Sequence, residues 1–374
     1  MINSIELFSG AGGLAKGLEL AGAHHHAFIE WNSDACKTLR QNYNPKIVFE
    51  GDVRNVDFDG YEGIDIIAGG PPCQPFSLGG KAKGMDDERD MFPYAVNAIR
   101  KLTPKAFIFE NVKGLLRESF SEYFHFILLQ LKYPEVKLDS EDWRVNNAQL
   151  NKIVNDGSYS GVRYDVQYQL VNAADYGVPQ KRERVIIVGF RHDLDIQWNF
   201  PLATHSEDAL LWQKYVTGKY WERHGLDTMD VDQKTAKRLG NKLLNKYGMW
   251  APELQPWQTI RDALVDLHSS DTDVCAHSEA KEYPGHTGSL IDEPSKTIKA
   301  GAHGVPGGEN MIKFNDNSVR YLTIPEAKRI QTFPDDYIIT GAWSEAMRQL
   351  GNAVPVRLAE IIAKSVIEKI EQQS

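Results

Sequence analysis

The chain has 374 residues, long for one small core and short for three domains, so two domains are expected. Apolar residues (42%) and charged residues (25%) stand in ordinary globular proportions, no apolar run is long enough to span a bilayer, and three scattered cysteines exclude a disulfide framework or a zinc site. A net charge of −9 argues against a uniformly basic nucleic-acid binder but leaves room for a local basic surface.

NSIELF reads as a strand and GAGG as the turn into a helix, LAKGLELAG. HHAFIE is a second strand, SDACKTLRQNY a helix and KIVFEGDV a short strand. GIDIIAGG is an apolar strand ending in glycines. The helix MFPYAVNAIRKL follows, then the strand AFIFENV, a strand within YDVQYQLVNAADYG, and ERVIIVGF. Short strands alternating with helices predict an α/β fold, a mostly parallel sheet with helices on both faces. The opening MINSIELFSGAGG has no basic region ahead of an apolar stretch, so no signal peptide is expected and a reducing cytoplasm fits.

Beyond about Arg191 the pattern breaks. Tryptophans gather (Trp198, Trp212, Trp221, Trp250, Trp257), and KAGAHGVPGGEN is too glycine-rich for a regular element. This middle region reads as a second, smaller and less regular domain. Two basic clusters lie in it, Lys214 to Lys246 and Lys313 to Arg329, each a solvated helix face or a phosphate surface. Helical periodicity returns at LTIPEAKRIQTFP, and PVRLAEIIAKSVIEKIEQQS is an amphipathic C-terminal helix.

Three places suggest chemistry. In ELFSGAGG, Gly10, Gly12 and Gly13 allow a tight turn and a close backbone approach to a ligand. Glu30 ends the next strand where a ribose-binding carboxylate belongs, with Trp31 after it and Asp52 at the end of the third strand. The set describes an adenosine-type ligand, and the missing G-x-G-x-x-G counts against a dinucleotide. In AGGPPCQPFS, prolines stiffen a loop around Cys73 at a strand's carboxyl end, the frame of a nucleophile. Cys36 and Cys275 read as packed, inert thiols. FIFENV ends with Glu110, a carboxyl group that partial desolvation could keep protonated for a substrate nitrogen. Arg182 and Arg184 in QKRER share a face of an extended segment, so both could reach one cleft, or Glu and Arg could form a buried ion pair. His24, His25 and His26 have no matching ligand set, and no metal is expected.

The ordered blocks ELFSGAGG, EWN, GDV, GGPPCQPFS, FENV, QKRER, RYLTIPEAKRIQTFP and QLGNAVP resemble the cytosine-5 DNA methyltransferase family of bacterial or phage type. The resemblance implies a Rossmann-like, S-adenosylmethionine-dependent methyltransferase fold with a smaller, irregular target-recognition domain. Residues 1–192 would form the catalytic and cofactor-binding domain, 193–338 the target-recognition domain with its hinge, and 339–374 a C-terminal segment completing the first. It further implies that Cys73 adds to C6 of a cytosine flipped out of duplex DNA. Glu110 would contact N3 and the exocyclic amine, Arg184 the cytosine O2, and Arg182 would support the site or a phosphate.

For the cofactor, S-adenosyl-L-methionine, the resemblance implies Phe8 on the adenine, Gly10 to Gly13 along the methionine part, Glu30 on the ribose hydroxyls, and Trp31 and Asp52 at the adenine. Val53 and Pro71 would line this pocket, and Asn352 would close it. Gln74 and Ser77 would close over the DNA, with Thr297 and Ile298 at the backbone near the flipped base. Two departures stand out: Glu6 where the family usually has aspartate, and Met91 where a leucine is common. The implied partner is double-stranded DNA, with no membrane, a monomeric enzyme, and a cognate restriction endonuclease where one accompanies it. A transfer-RNA cytosine-5 methyltransferase of the same fold is the alternative, which the long middle domain disfavours. A cofactor-binding regulator without catalysis is disfavoured by intact Cys73, Glu110 and Arg184.

Overall fold

The computed structural model describes residues 1–72, 90–138, 140, 142–157, 159–227, 232–267, 280, 282, 287–300 and 310–373. The chain divides into two compact units. The first comprises Met1–Val171, Glu183–Phe200 and Ala359–Ser374, and the second Asn172–Arg182 and Pro201–Leu358.

The first unit is built on β1 (Ile2–Leu7), β2 (Ala23–Glu30), β3 (Val48–Glu50), β4 (Ile66–Gly69), β5 (Ala106–Val112), β6 (Tyr164–Asn172) and β7 (Glu183–Arg191). They form a seven-stranded sheet in the order β3-β2-β1-β4-β5-β7-β6. The pairs β2–β3, β1–β2, β1–β4 and β4–β5 are parallel, and β5–β7 is antiparallel, so the sheet is mostly parallel as expected. Continuous apolar runs such as IIAG in β4, buried at every position, are what a strand covered on both faces requires.

Alternation along β2 shows the two faces directly. Phe28 packs with Ala15 of α1 (Gly13–Leu20) and with Cys36 and Leu39 of α2 (Ser33–Asn42). Its neighbours Ala27 and Ile29 join the opposite cluster, with Phe92 and Ile99 of α3 (Phe92–Leu102) and Phe126 and Ile127 of α4 (Ser121–Lys132). α5 (Trp143–Asp156) adds Trp143 and Leu150 to that cluster. The amphipathic C-terminal helix exists as α12 (Val356–Glu371); its Ile362, Ala363, Val366 and Ile370 are buried, and Ala359 lies against Gly17 of α1.

The second unit is less regular. Its helices are α6 (Glu207–Tyr215), α7 (Lys219–Arg223), α8 (Gln233–Tyr247), α9 (Ile260–Leu264), α10 (Ile324–Ile330) and α11 (Trp343–Asn352). Two small sheets join them, β8 (His205–Ser206) with β9 (Gln255–Pro256), and β10 (Ser289–Leu290), β11 (Met311–Lys313) and β12 (Val319–Tyr321) in that order. Tyr220, Trp221 and Trp257 pack on Ala174 and Leu210, so two of the five tryptophans of this region build one cluster, while Trp250 is exposed.

The histidine run is structural. His25 is buried, its Nδ1 is 2.9 Å from Ser4 Oγ and its Nε2 is 2.9 Å from the Ala15 carbonyl. A carbonyl only accepts, so Nε2 carries the proton and Nδ1 accepts from the serine. Burial pushes the pKa of His25 down to about 4, which keeps the ring neutral. Cys36 is likewise inert: its thiol donates to the Glu30 carbonyl and burial pushes its pKa up to about 12. Cys275 lies outside the described residues. Among the described residues no group of acids, histidines and cysteines is arranged to hold a metal ion, and no helix is long and apolar enough to cross a membrane.

Candidate active site

Parallel strands place their carboxyl ends along one edge of the sheet, and the order β3-β2-β1-β4-β5 reverses direction between β1 and β4. Ligands in such sheets settle in the crevice at that switch point. Along this edge, in spatial order, stand Glu50, Glu30, Leu7, Gly69 and Glu110 near their strand ends, so the three regions singled out in the sequence share one edge.

At the end of β1 the backbone turns sharply. Phe8 has φ 55°, in the left-handed region that a bulky residue rarely adopts, and its ring is only partly buried against the core. Gly10 (φ 53°) and Gly12 (φ 80°) continue the turn, and Gly13 begins α1, which has no side-chain cap. Glu30 braces the loop: its Oε2 accepts from Gly10 N at 2.8 Å and its Oε1 from Asn32 N at 2.7 Å. Trp31, next along, is 79% exposed, an unusual position for an indole and one that a planar ligand could cover. Asp52 is differently placed from the other acceptors. Both its oxygens engage Arg54, which holds its carboxyl below the usual range, so a ligand amine there meets an occupied carboxylate. Val53, the following residue, is buried.

Glu6 is the residue whose importance the sequence understated. It lies on β1, 2% exposed, and its Oε2 is buried with no hydrogen-bond partner among the described residues. Burial first, and the nearby Glu30 carboxylate second, raise its pKa well above the ordinary glutamate value. A carboxyl whose folded pKa is raised contributes stability that is fully present below the unfolded pKa and is lost as pH rises through the folded one. Glu6→Gln removes that titration. Thermal unfolding across neutral and acid pH is therefore expected to show the variant gaining on the wild type as pH increases, by about 1–3 kcal/mol, the cost of an unsatisfied buried polar group. Parallel curves at all pH values would show that Glu6 is not the titrating group.

The second part of the site is the neck of the Cys73 loop. Asn111 Nδ2 donates to the Pro71 carbonyl at 3.0 Å, and Met91 N donates to the Pro72 carbonyl at 3.4 Å. Asp90 accepts from Phe92 N at 3.1 Å, capping α3, and also accepts from the Tyr123 hydroxyl. The chain thus leaves at Pro72 and returns at Asp90 with both sides tied down. Cys73, Gln74 and Ser77 lie outside the described residues. Gly70 passes so close to Glu110 that a Cβ there would sit 3.4 Å from Glu110 Oε2, so the turn and the carboxylate are neighbours.

Glu110 and Arg184 meet on adjacent antiparallel strands. The register pairs Val112 with Arg184, which puts Glu110 on the diagonal and on the same face. Arg184 Nε lies 2.5 Å from Glu110 Oε1, and each side chain is only 11% exposed. The ion pair allowed by the sequence is therefore present, at the carboxyl end of β5 beside the loop neck.

Arg182 does not accompany Arg184. Its N bonds Asn172 Oδ1 at 3.2 Å and its carbonyl accepts from Ala173 N, so the residue precedes the β7 ladder and strand alternation does not extend to it. The fully buried guanidinium donates to the carbonyls of Ile298 (3.2 Å), Gly351 (2.8 Å) and Ala353 (3.0 Å) within the second unit. The last two flank Asn352, which is exposed at the end of α11. Thr297 donates to the Lys181 carbonyl at 2.8 Å, while the Ile298 side chain is wholly buried and its N donates to Gln180 Oε1 at 3.1 Å. Gln180 in turn donates to Gln331 Oε1 at 3.1 Å. This buried network of Gln180, Arg182 and Gln331 was not anticipated, though polar residues inside QKRER and KRIQTFP are its trace in the sequence.

The family profile described as C-5 cytosine-specific DNA methylase matches residues 2–368. The chain belongs to that family and is a DNA cytosine methyltransferase. It is 32% identical to the Type II methyltransferase M.NgoMIV of Neisseria gonorrhoeae, over 99% of each chain. It is also 32% identical to the Type II methyltransferase M.Eco47II of Escherichia coli, over 98% of this methyltransferase and 79% of the relative. The solved structure of S. pombe Dnmt2 methyltransferase superposes with a TM-score of 0.60 at 16% identity, covering 100% of this chain and 99% of the other, a likeness of fold. The family implies S-adenosylmethionine as methyl donor.

Proposed function

We propose that this methyltransferase modifies C5 of a cytosine flipped out of double-stranded DNA, with Cys73 as nucleophile and Glu110 and Arg184 holding the base. The observation that carries the reading is the Glu110–Arg184 pair, set beside the tied neck of the Cys73 loop and separated by β4 from the acceptors around β1 and β2. Flipping is required because the thiol and the methyl group must approach C6 and C5 through the faces of the ring, which stacking covers inside a duplex.

The residues around β1 suit S-adenosyl-L-methionine. A buried carboxyl oxygen with no partner among the described residues, Glu6 Oε2, suits a hydrogen-bonding ligand group, and Glu30 offers a further carboxylate within the same turn. Exposed Trp31 and the partly buried Phe8 ring suit a planar adenine. Glu6, Phe8, the Gly10–Gly13 turn, Glu30 and Trp31 would hold the molecule, which supplies a methyl group on a sulfonium for transfer to C5.

The protein's own groups then do the following. The Cys73 thiolate forms a bond to C6, and the ring electrons move toward C5, making it enamine-like. Glu110 accepts from the exocyclic amine and from N3 once that nitrogen takes up a proton, and Arg184 donates to O2, so both stabilise the altered ring. Once C5 carries the methyl group, its proton passes to water acting as base, the electrons of that C–H bond re-form the C5–C6 double bond, and the C6–S bond breaks to release Cys73 as thiolate, restoring the aromatic ring. The Type II naming of the relatives favours a restriction–modification setting with a cognate endonuclease, and a monomer suffices for every step.

The test is transfer of labelled methyl from S-adenosyl-L-methionine to duplex DNA, together with a denaturation-stable adduct on duplex containing 5-fluorocytosine. Fluorine at C5 prevents proton loss and traps the thiol bond. Adduct formation by the wild type and its absence in Cys73→Ser are expected. Labelling of transfer RNA in preference to duplex DNA would overturn the substrate, and an adduct formed by Cys73→Ser would overturn the nucleophile.

A further inference from the structure

The basic stretch from Lys214 to Lys246 separates into two kinds of cation in the folded chain. Lys214 is buried and bonds the Asp292 carbonyl and Glu293 Oε1 (2.8 Å). Arg223 pairs with Asp262 at 2.7 Å, and Lys246 with Asp208 at 2.6 Å. These three hold the second unit together and are not a ligand surface.

Lys234, Lys237, Arg238 and Lys242 differ. All four are on α8, all are exposed or half-buried at its surface, and none makes an ion pair among the described residues. At about 100° per residue, Lys234, Arg238, Asn241 and Asn245 fall along one line of the helix, with Lys237 and Lys242 on its flanks. The opposite side carries Gly240 and Leu243, both buried, and a Cβ at Gly240 would lie 2.9 Å from the Tyr215 carbonyl of α6. The helix is thus seated closely on α6, with its cations turned to solvent. Asp208, the acid that faces its last turn, is already engaged by Lys246 and by the Tyr247 hydroxyl at 2.8 Å. No acid lies within α8 itself; its N-cap Asp232 is occupied with the Lys234 amide at 3.1 Å.

We propose that this face of α8 is a sequence-independent clamp for the phosphate backbone of DNA, separate from the groups that handle the cytosine. Lys234 to Lys242 spans roughly 12 Å of helix rise, the length of about three to four phosphates along one strand. Four cations with no ion-pair partner among the described residues, interleaved with two asparagine amides, offer donors where phosphate oxygens accept. Long, flexible lysines carry charge rather than base-reading geometry, so the clamp positions the duplex without choosing the target. The proposal rests on the reading of duplex DNA as substrate.

The test uses the full chain and two duplexes, one that the wild type methylates and one that it leaves unmodified. Affinity is measured between about 50 and 200 mM salt for the wild type and for K234Q/K237Q/R238Q/K242Q. The quadruple variant is expected to flatten the log–log salt slope by about 3–4, since each phosphate that a cation neutralises adds about 0.9 to it. Affinity for both duplexes should fall in parallel, the KM for DNA should rise, and kcat at saturating DNA should hold. The single variant R238Q repeats the test with a slope change of about one. An unchanged slope and KM overturn the clamp, and so does a loss confined to the methylated duplex, which would make these side chains base readers. If the wild type methylates no DNA, the underlying reading fails; if it does and the slope is unchanged, only the clamp fails.

Discussion

Glu110→Gln is expected to lower the rate of methyl transfer by about 10²–10⁴, the range of a positioned acid or base, and at the same time to destabilise the first unit by about 3–5 kcal/mol. The two effects have one source. Arg184 lies 2.5 Å from Glu110, and both side chains are almost out of solvent, so neutralising the carboxylate strands a buried guanidinium. The double variant Glu110→Gln/Arg184→Met separates stability from chemistry. Removing both charges restores most of the stability, because losing a buried pair together costs far less than stranding one partner, whereas the groups proposed to hold the base stay lost. Urea unfolding and single-turnover methyl transfer on the same samples measure the two quantities. Recovery of activity together with stability would make the pair a structural strut and move the base-binding role elsewhere.

The sheet was legible because each of its principal strands carries its own local signature. β1, β4, β5 and β7 are short apolar runs, and short connections between them and helical stretches leave few ways to arrange a parallel sheet. The carboxyl-end placement of Glu30, Gly69 and Glu110 follows from the same alternation. α8 was less legible: Ala236, Leu239, Leu243, Leu244 and Tyr247 recur at helical spacing, but only Gly240 and Leu243 of its fifteen residues are buried and the four lysines and Arg238 read first as a charge run. The role of Arg182 was hidden by a backbone detail. Two residues from Arg184, it would share a face on a continued strand, but its hydrogen bonds to Asn172 and Ala173 take it out of the ladder. Glu6 was visible as a departure from aspartate, yet only the structure reveals that its carboxyl is buried, with one oxygen lacking a partner among the described residues.

These cases share a cause. Pattern reading detects residues whose environment repeats, the strand faces and helix stripes. It does not detect single polar groups whose partners come from remote chain segments. Gln180, Arg182 and Gln331 are each fully buried, and the Gln180–Gln331 bond spans 151 residues, a pairing that no local spacing encodes. The consequence is that residues adjacent in a motif can have unrelated duties. Arg184 stands among the groups assigned to the base, whereas Arg182 stitches backbone together.

Arg182→Met tests that division. Methionine approximates the stem's volume but takes the Arg182 donor from the carbonyls of Ile298 and Gly351, and leaves Ala353 only its longer bond from Gln331 Nε2 at 3.3 Å, each unsatisfied acceptor costing about 1–3 kcal/mol in a buried site. Partial relaxation limits the sum, and a loss of about 3–5 kcal/mol in the second unit is expected. Amide hydrogen exchange should rise at Lys299 and Asn352, next to the released carbonyls, before it rises in the sheet strands β1 and β5. Arg182→Lys keeps the charge but reaches with one nitrogen centre rather than a fork, so it should fall between the wild type and the methionine variant in stability. Methyl transfer by the lysine variant is the deciding measurement. A strut predicts that kcat at low temperature, where the variant is fully folded, stays within a few-fold of the wild type. A collapse of kcat in a folded Arg182→Lys protein would instead put the guanidinium in contact with the reacting groups.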